Sequence, residues 1–530
     1  MKTYDYIIVG AGPAGCLLAN RLVVDRGARV LLLEAGPRDK GVFFRMPAGF
    51  LKYYTTNSFY WPYRGESEPQ LGGKAPRLQN GKVLGGGSSV NAMVYIRGNP
   101  RDYDRWAEAT GEQIWNGANA WATFKALENN AILGAPDHGV RGPLHVSPPQ
   151  HTNELSYAFV AAAQEAGIPF SADFNGGRQN GAGLYQLTTR MARRWSAVDA
   201  FIRPLVDDAR LEVLTDVEVE GVVFDGDKAR GVRYLRDGTT VEQRCDAEVI
   251  LSAGAIATPK LLMLSGLGPA DELSGLVIKP LVDLPGVGAN FMDHCEVPVA
   301  AYTREPLGYY GVDKGVKSWL AGLQYLLCKT GPVASNGVEA GGFFHTDDDS
   351  LDPNIQIFAV PGIYLDKDVT DVRPGHGITL NACLVQPNSR GTVRLRSANP
   401  KDHPKIVTGF LSDEGDMETM IKGVRKMRDI FACDPLRSLV REEVLPGPSA
   451  VGREQLVSHI KRFVKTVYHP MGTARMGKAD DPLAVVDPSL KVRGVTGLRV
   501  VDASVMPTPV SGNTVASVYM LAETAAKFIG

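Results

Sequence analysis

The sequence predicts an α/β protein, α+β over its full length, that opens with a βαβ unit on a parallel sheet. Three observations carry this. An apolar run, Tyr4-Asp5-Tyr6-Ile7-Ile8-Val9, breaks into Gly10-Ala11-Gly12-Pro13-Ala14-Gly15 and then a helix-forming stretch over 16–23. A second apolar run, 29–33, ends in Glu34, about 20 residues beyond Gly15. Far downstream, 247–254 is a buried type of strand that closes on small residues, Ser252-Ala253-Gly254. At 530 residues the chain exceeds one hydrophobic core, so two domains, or one large domain with insertions, are expected.

Each element has its reason. Gly10 permits the tight turn, Gly12 lets backbone approach a pyrophosphate, and Gly15 lets helix pack on strand. A carboxylate at Glu34 can accept hydrogen bonds from ribose hydroxyls and would repel the extra phosphate of NADP. A glycine-rich turn in an ordinary α/β protein explains the glycines but not Glu34, so the unit reads as a dinucleotide site. Its place at the start of the chain favours FAD, with NAD open on these residues alone. Residues 37–105 are irregular and rich in Gly, Pro and aromatics, a composition of functional or cofactor-covering chain. Strands are expected at 211–215, 217–224 and 231–235. A helix over 258–264 follows Ala253, where small residues let a nucleotide press against the sheet. Strands at 355–358 and 391–395 and a helix over 417–431 place most of 306–460 on a substrate side. A last helix is expected over 514–528, with Asn513 a candidate N-cap.

Composition excludes several classes. A net charge of −1 and a pI near 6.8 argue against a protein built around nucleic acid or an anionic membrane surface. The six cysteines are scattered, with no Cys-x-x-Cys and no His-Glu-x-x-His in the chain, so neither a disulfide frame nor a metal site is expected. No charged leader and no membrane-length apolar run is read, so a cytoplasmic location is expected, with peripheral contact at the inner membrane left open.

Later motifs are more specific. Residues 81–104 carry Gly-Lys-Val-Leu-Gly-Gly-Gly-Ser-Ser-Val-Asn-Ala-Met-Val-Tyr-Ile-Arg-Gly-Asn-Pro-Arg-Asp-Tyr-Asp, and 254–268 carry Gly-Ala-Ile-Ala-Thr-Pro-Lys-Leu-Leu-Met-Leu-Ser-Gly-Leu-Gly. Pro285-Gly286-Val287-Gly288-Ala289-Asn290 with Asp293-His294 follows, then Tyr468-His469-Pro470-Met471-Gly472-Thr473, Val501-Asp502-Ala503-Ser504 and Gly512-Asn513-Thr514. Together they resemble the glucose/methanol/choline (GMC) flavoprotein oxidoreductases, and within them the bacterial choline-dehydrogenase type that includes FAD-dependent dehydrogenases of primary aliphatic alcohols. The resemblance implies a Rossmann-like FAD-binding domain assembled from 1–155, 196–305 and 462–530, around a substrate-binding domain of sheet and helices from 156–195 and 306–461. Carried over, Gly10, Gly12, Pro13, Ala14, Gly15 and Glu34 would hold the ADP half and Val219 the adenine. Val83, Gly87, Ser88, Asn91, Ala92, Met93 and Val94 would meet the isoalloxazine or a phosphate, and Ala253, Asp502, Ala503 and Thr514 would serve the remaining cofactor contacts. Val90 stands where some relatives carry a flavin-bonding histidine, so non-covalent FAD is expected.

Alcohol oxidation needs a hydroxyl proton removed and a hydride accepted along prearranged paths. The resemblance gives His469 the first task, which an imidazole titrating near the working pH suits, and gives Asn513 the substrate oxygen. A structural histidine at a Pro turn and a helix cap are the plain alternatives for these two residues. His294 reads as loop support with a smaller chance of touching substrate. The expected reaction is oxidation of a primary alcohol to an aldehyde, electrons passing to a quinone or another acceptor. An oxidase that reduces O₂ to H₂O₂ is the first alternative, and a non-redox flavin enzyme of the same fold, a lyase or photodecarboxylase, is the alternative of another class. Phe343, Phe344, Phe358 and Tyr364 are candidates for an apolar pocket. The substrate and oligomeric state are not legible.

Overall fold

The computed structural model describes residues 3–529. The principal elements around the site are, in chain order, β1 (Tyr4–Val9), α1 (Pro13–Arg26), β2 (Val30–Leu33), β3 (Leu211–Leu214), β4 (Glu218–Asp225), β5 (Lys228–Arg236), β6 (Thr239–Leu251), α2 (Gly254–Leu264), α3 (Gly315–Cys328), β7 (Leu498–Val500) and α4 (Val515–Ala526). The first sheet runs β3-β2-β1-β6-β5-β4, with β7 also on β6. Here β1 is parallel to both neighbours, and Val9 stands opposite Leu33 on one side and Leu251 on the other. That register brings Gly10, Glu34 and Ser252 out at one edge. The four residues of β2 are all buried, which is why the strand is continuously apolar instead of alternating.

Two helix starts differ from the sequence reading, and for one reason each. With Pro13 at its first turn, α1 begins before Cys16, because proline needs no N–H partner there. Helix α2 begins at Gly254 and runs through Pro259. Proline leaves the carbonyl four residues earlier without its helical donor. Thr473 fills the vacancy, its hydroxyl donating to Ala255 O at 2.6 Å, which ties the His-Pro-Met-Gly-Thr segment to α2.

A second, antiparallel sheet has the order Val440–Leu445, Cys295–Thr303, Gly377–Leu384, Ile355–Val360, Ala340–Phe344, Gly181–Leu184. Helices Glu154–Glu165 and Glu414–Phe431 share a buried core with it, joining Phe159, Met420, Val424 and Met427 to Ile357 and Leu380. Cys295–Thr303 lies inside this sheet, although the resemblance places 196–305 with the FAD-binding segments. Lys465–Thr466, from the C-terminal FAD-binding segment, pairs with the start of the same strand. The 391–395 strand is real as Thr392–Arg394 but pairs only with Lys405–Val407, outside the sheet. Nor is 37–105 structureless: it holds helix Gly49–Thr56 and the antiparallel pair Tyr60–Arg64 and Arg77–Gly81.

Candidate active site

One cavity of about 1190 Å³ opens between the two sheets, above the roughly 300–1,000 Å³ of a single small-molecule pocket. At its nucleotide end two helices start without a side-chain cap, α1 after Gly12 and α4 after Thr514, while the start of α2 after Ala253 also lines the cavity. Uncapped N-termini present free N–H groups and positive dipole ends, the donor set for a pyrophosphate or another electron-rich group. The glycines divide accordingly. A methyl at Gly10 would stand 2.3 Å from Ser252 O and one at Gly15 1.9 Å from Gly10 O, so both serve the packing of turn and helix. At the cavity-lining Gly12, Gly87 and Gly254 nothing lies within 4 Å of that position, leaving the approach open.

Glu34 is buried, and its carboxylate accepts from Ala11 N at 3.0 Å and Gly36 N at 2.8 Å. Burial raises its pKa to about 7. Asp502 accepts from Gly254 N and Thr258 Oγ1 through one oxygen and Ser504 N through the other, fixing the first turn of α2. These residues fit the FAD that the family resemblance implies.

The other end is built on two residues with positive φ. Tyr468 has φ 66, an unusual conformation for a non-glycine residue, and Gly512 has φ 132 with Ile96 Cγ2 only 2.7 Å from where a methyl would sit. They aim the following side chains, His469 and Asn513, at each other. Asn513 Nδ2 donates to His469 Nε2 at 3.2 Å, while Asn513 Oδ1 accepts from Gln356 Nε2 at 3.1 Å, which orients the amide. Because an amide NH₂ only donates, Nε2 carries the lone pair and the neutral ring is protonated at Nδ1. Nδ1 meets His294 Nδ1 at 3.0 Å. Asp293 accepts from His469 N at 2.9 Å and fixes the backbone behind the ring. Burial, reinforced by His294, holds the His469 pKa well below its usual 6.5, so the imidazole is a neutral base at physiological pH.

Of the sequence-predicted residues, Gly10, Gly12, Pro13, Ala14, Glu34, Gly87, Asn91, Ala92, Met93, Val94, Val219, Ala253, Asp502, Ala503 and Thr514 line this one cavity with His469 and Asn513. Gly15, Val83 and Ser88 stand behind it. Val83 packs with Phe44, Tyr53 and Val90, and Ser88 Oγ donates to Gly85 O and accepts from Ala197 N. Asn513 is not the cap of α4, a position Thr514 holds without a side-chain bond. Phe358 and Tyr364 line the cavity, whereas Phe343 and Phe344 are buried in separate cores on opposite faces of one strand.

Four residues escaped the sequence reading. Buried Arg194 donates to Ser88 O, Asn91 O and Asn91 Oδ1, bracing the Gly-rich segment from behind. Gln356 orients Asn513. Glu296 lines the cavity and is ion-paired with Lys465, both side chains being under 5 % exposed. Glu296 sits two residues past His294 and Lys465 four before His469, and that adjacency to motifs was the only signal available.

A nucleotide cradle and a buried imidazole–amide pair sharing one cavity suit an enzyme that works with a nucleotide cofactor. The GMC oxidoreductase family models match residues 4–296 and 387–522. The chain is 43 % identical to an alcohol dehydrogenase [acceptor] of Pseudomonas putida, over 99 % of this chain and 95 % of that protein. It is 39 % identical to an oxygen-dependent choline dehydrogenase of Staphylococcus aureus, over 100 % and 93 %. Its fold matches the crystal structure of pyridoxine 4-oxidase from Mesorbium loti with a TM-score of 0.90 at 30 % identity, covering 99 % of each chain. The chain belongs to the GMC oxidoreductase family, whose members are FAD-binding flavoproteins.

Proposed function

We propose that this protein oxidises an uncharged primary alcohol to the aldehyde with non-covalently held FAD. The observation that carries the reading is the His469–Asn513 pair, whose neutral Nε2 and amide N–H face the cavity that the nucleotide cradle also lines. Bound FAD supplies the hydride acceptor. A substrate hydroxyl placed between the two side chains donates to His469 Nε2 and accepts from Asn513 Nδ2. His469 takes the proton, and Asn513 stabilises the alkoxide as charge develops. His294 holds the Nδ1 side of the ring and so keeps Nε2 the basic atom. Val90 has no nucleophile with which to bond a flavin.

The charge of the substrate follows from Glu296. Glu296 is a carboxylate that lines the cavity, and Lys465 neutralises it in a buried ion pair. Lys465 Nζ also stands 4.2 Å from the Tyr364 ring centroid, and Tyr54, Tyr364 and Tyr468 line the same wall. The carboxylate that lines this wall is already paired with Lys465, an arrangement that favours an uncharged chain over a cationic one.

The acceptor is proposed to be a quinone or similar carrier. Anaerobic bleaching of the flavin band by a panel of primary alcohols tests the reaction, and reoxidation in air against a soluble quinone tests the acceptor. Choline bleaching faster than uncharged alcohols would overturn the substrate reading. Reoxidation by air at the rate of turnover, with matching peroxide, would make the protein an oxidase, and cavity-lining Val467 beside His469 leaves room for that outcome. No bleaching by any alcohol would leave a non-redox enzyme.

A further inference from the structure

Helix α3 (Gly315–Cys328) carries its apolar stripe on the wrong side for a core. Of its 14 residues only Ala321 and Tyr325 are buried, Tyr325 being anchored by its hydroxyl to Ala192 O. Val316, Trp319, Leu320, Leu323, Leu326 and Leu327 follow the i, i+3, i+4, i+7 spacing of one face, a stripe about 120° wide. Every one of them is exposed, Trp319 at 78 % and Leu327 at 74 %. A face of this size left in water marks a docking surface.

Its surroundings select the occupant. Residues 309–330 hold one carboxylate, Asp313, against Lys314, Lys317 and Lys329, and exposed Lys52 lies on the cavity wall with Lys314. The net charge of −1 for the whole chain does not weaken this, since screening confines the effect to about 10 Å. Pairing the face with a second copy about a two-fold axis would bring like-charged lysines together. Anionic lipid headgroups would neutralise them while the acyl region takes the apolar stripe. The helix is also part of the cavity: Ser318, Ala321 and Gly322 line it. We infer that α3 is a bilayer-docking helix that seats the cavity mouth on an anionic membrane, so that apolar substrate or acceptor enters from lipid. Among the described residues no helix is long and apolar enough to cross a membrane, so the contact is interfacial.

The test is co-sedimentation of the full-length, FAD-loaded protein with phosphatidylcholine vesicles, with and without about one-third phosphatidylglycerol. Binding to the anionic vesicles is expected, weakened about five-fold per lysine in K317Q/K329Q and at least about a hundred-fold in W319Q/L323Q/L327Q. Flavin content and near-ultraviolet circular dichroism confirm that both variants are folded, and neither depends on the reaction assigned above. Failure to bind anionic vesicles, or binding that the triple variant leaves unchanged, would overturn the inference. So would a dimer in sedimentation that the triple variant dissociates while no vesicle binding is seen, which would make a second copy the occupant.

Discussion

Replacing Asn513 by Asp separates an orienting amide from a merely structural one. The change keeps size and shape but puts a carboxylate 3.2 Å from His469 Nε2, where an N–H now stands. At an effective dielectric constant near 20, an ion pair at that distance is worth ~5 kcal/mol, enough to raise the imidazole pKa by about 4. Wild-type His469 is neutral far below pH 6.5, so its alcohol-reduction rate should hold level through the neutral range and fall only in acid. In N513D the proton is held on the ring more tightly, and the acid limb should move to higher pH than in the wild type. Loss of the N–H to the alkoxide adds about 1.5–3 kcal/mol, or roughly 10- to 150-fold, even where the base is free. The assay is stopped-flow bleaching of the flavin by a primary alcohol under anaerobic conditions from pH 5 to 10. A variant with full flavin content, an unmoved acid limb and wild-type rates would refute the assignment of both side chains.

His469→Ala should keep its flavin and lose about two to four orders of magnitude in reduction rate, read in the same instrument. Glu34→Ala should release FAD on gel filtration with little effect on reduction at saturating cofactor, because its bonds run to Ala11 N of the nucleotide turn and Gly36 N just past β2. Burial lowers the His294 pKa from 6.5 to about 4, so on acidification the unfolded chain takes up a proton the native state refuses. Stability is therefore full above pH 6.5 and is lost below it, by ~2 kcal/mol at pH 5; urea midpoints at pH 7 and pH 5 should show His294→Gln escaping that loss. Acid precipitation of wild type should leave yellow FAD in the supernatant, since Val90 cannot bond it, and flavin pelleting with protein would contradict that.

The opening βαβ unit was legible because local physics dictates it. Gly10 and Gly15 have no space for a side chain, Pro13 fits only a first helical turn, and β2 is apolar on both faces. The Tyr-His-Pro and Gly-Asn-Thr segments were legible as motifs, so the catalytic candidates could be named from the sequence. What tertiary structure alone decided is which long-range partners these residues meet. His469 finds His294 175 positions away and Asn513 finds Gln356 157 positions away, separations no local pattern encodes. The same holds for Pro259, which reads as a helix start until Thr473 supplies the missing donor. It holds for Glu296 and Lys465, two charges that neutralise each other because their strands pair. Sequence fixes conformation where neighbours in the chain are neighbours in space. The sign of the charge at the cavity wall, the protonated nitrogen of His469 and the outward face of α3 depend on which surfaces the two sheets bury, and only the folded chain decides that.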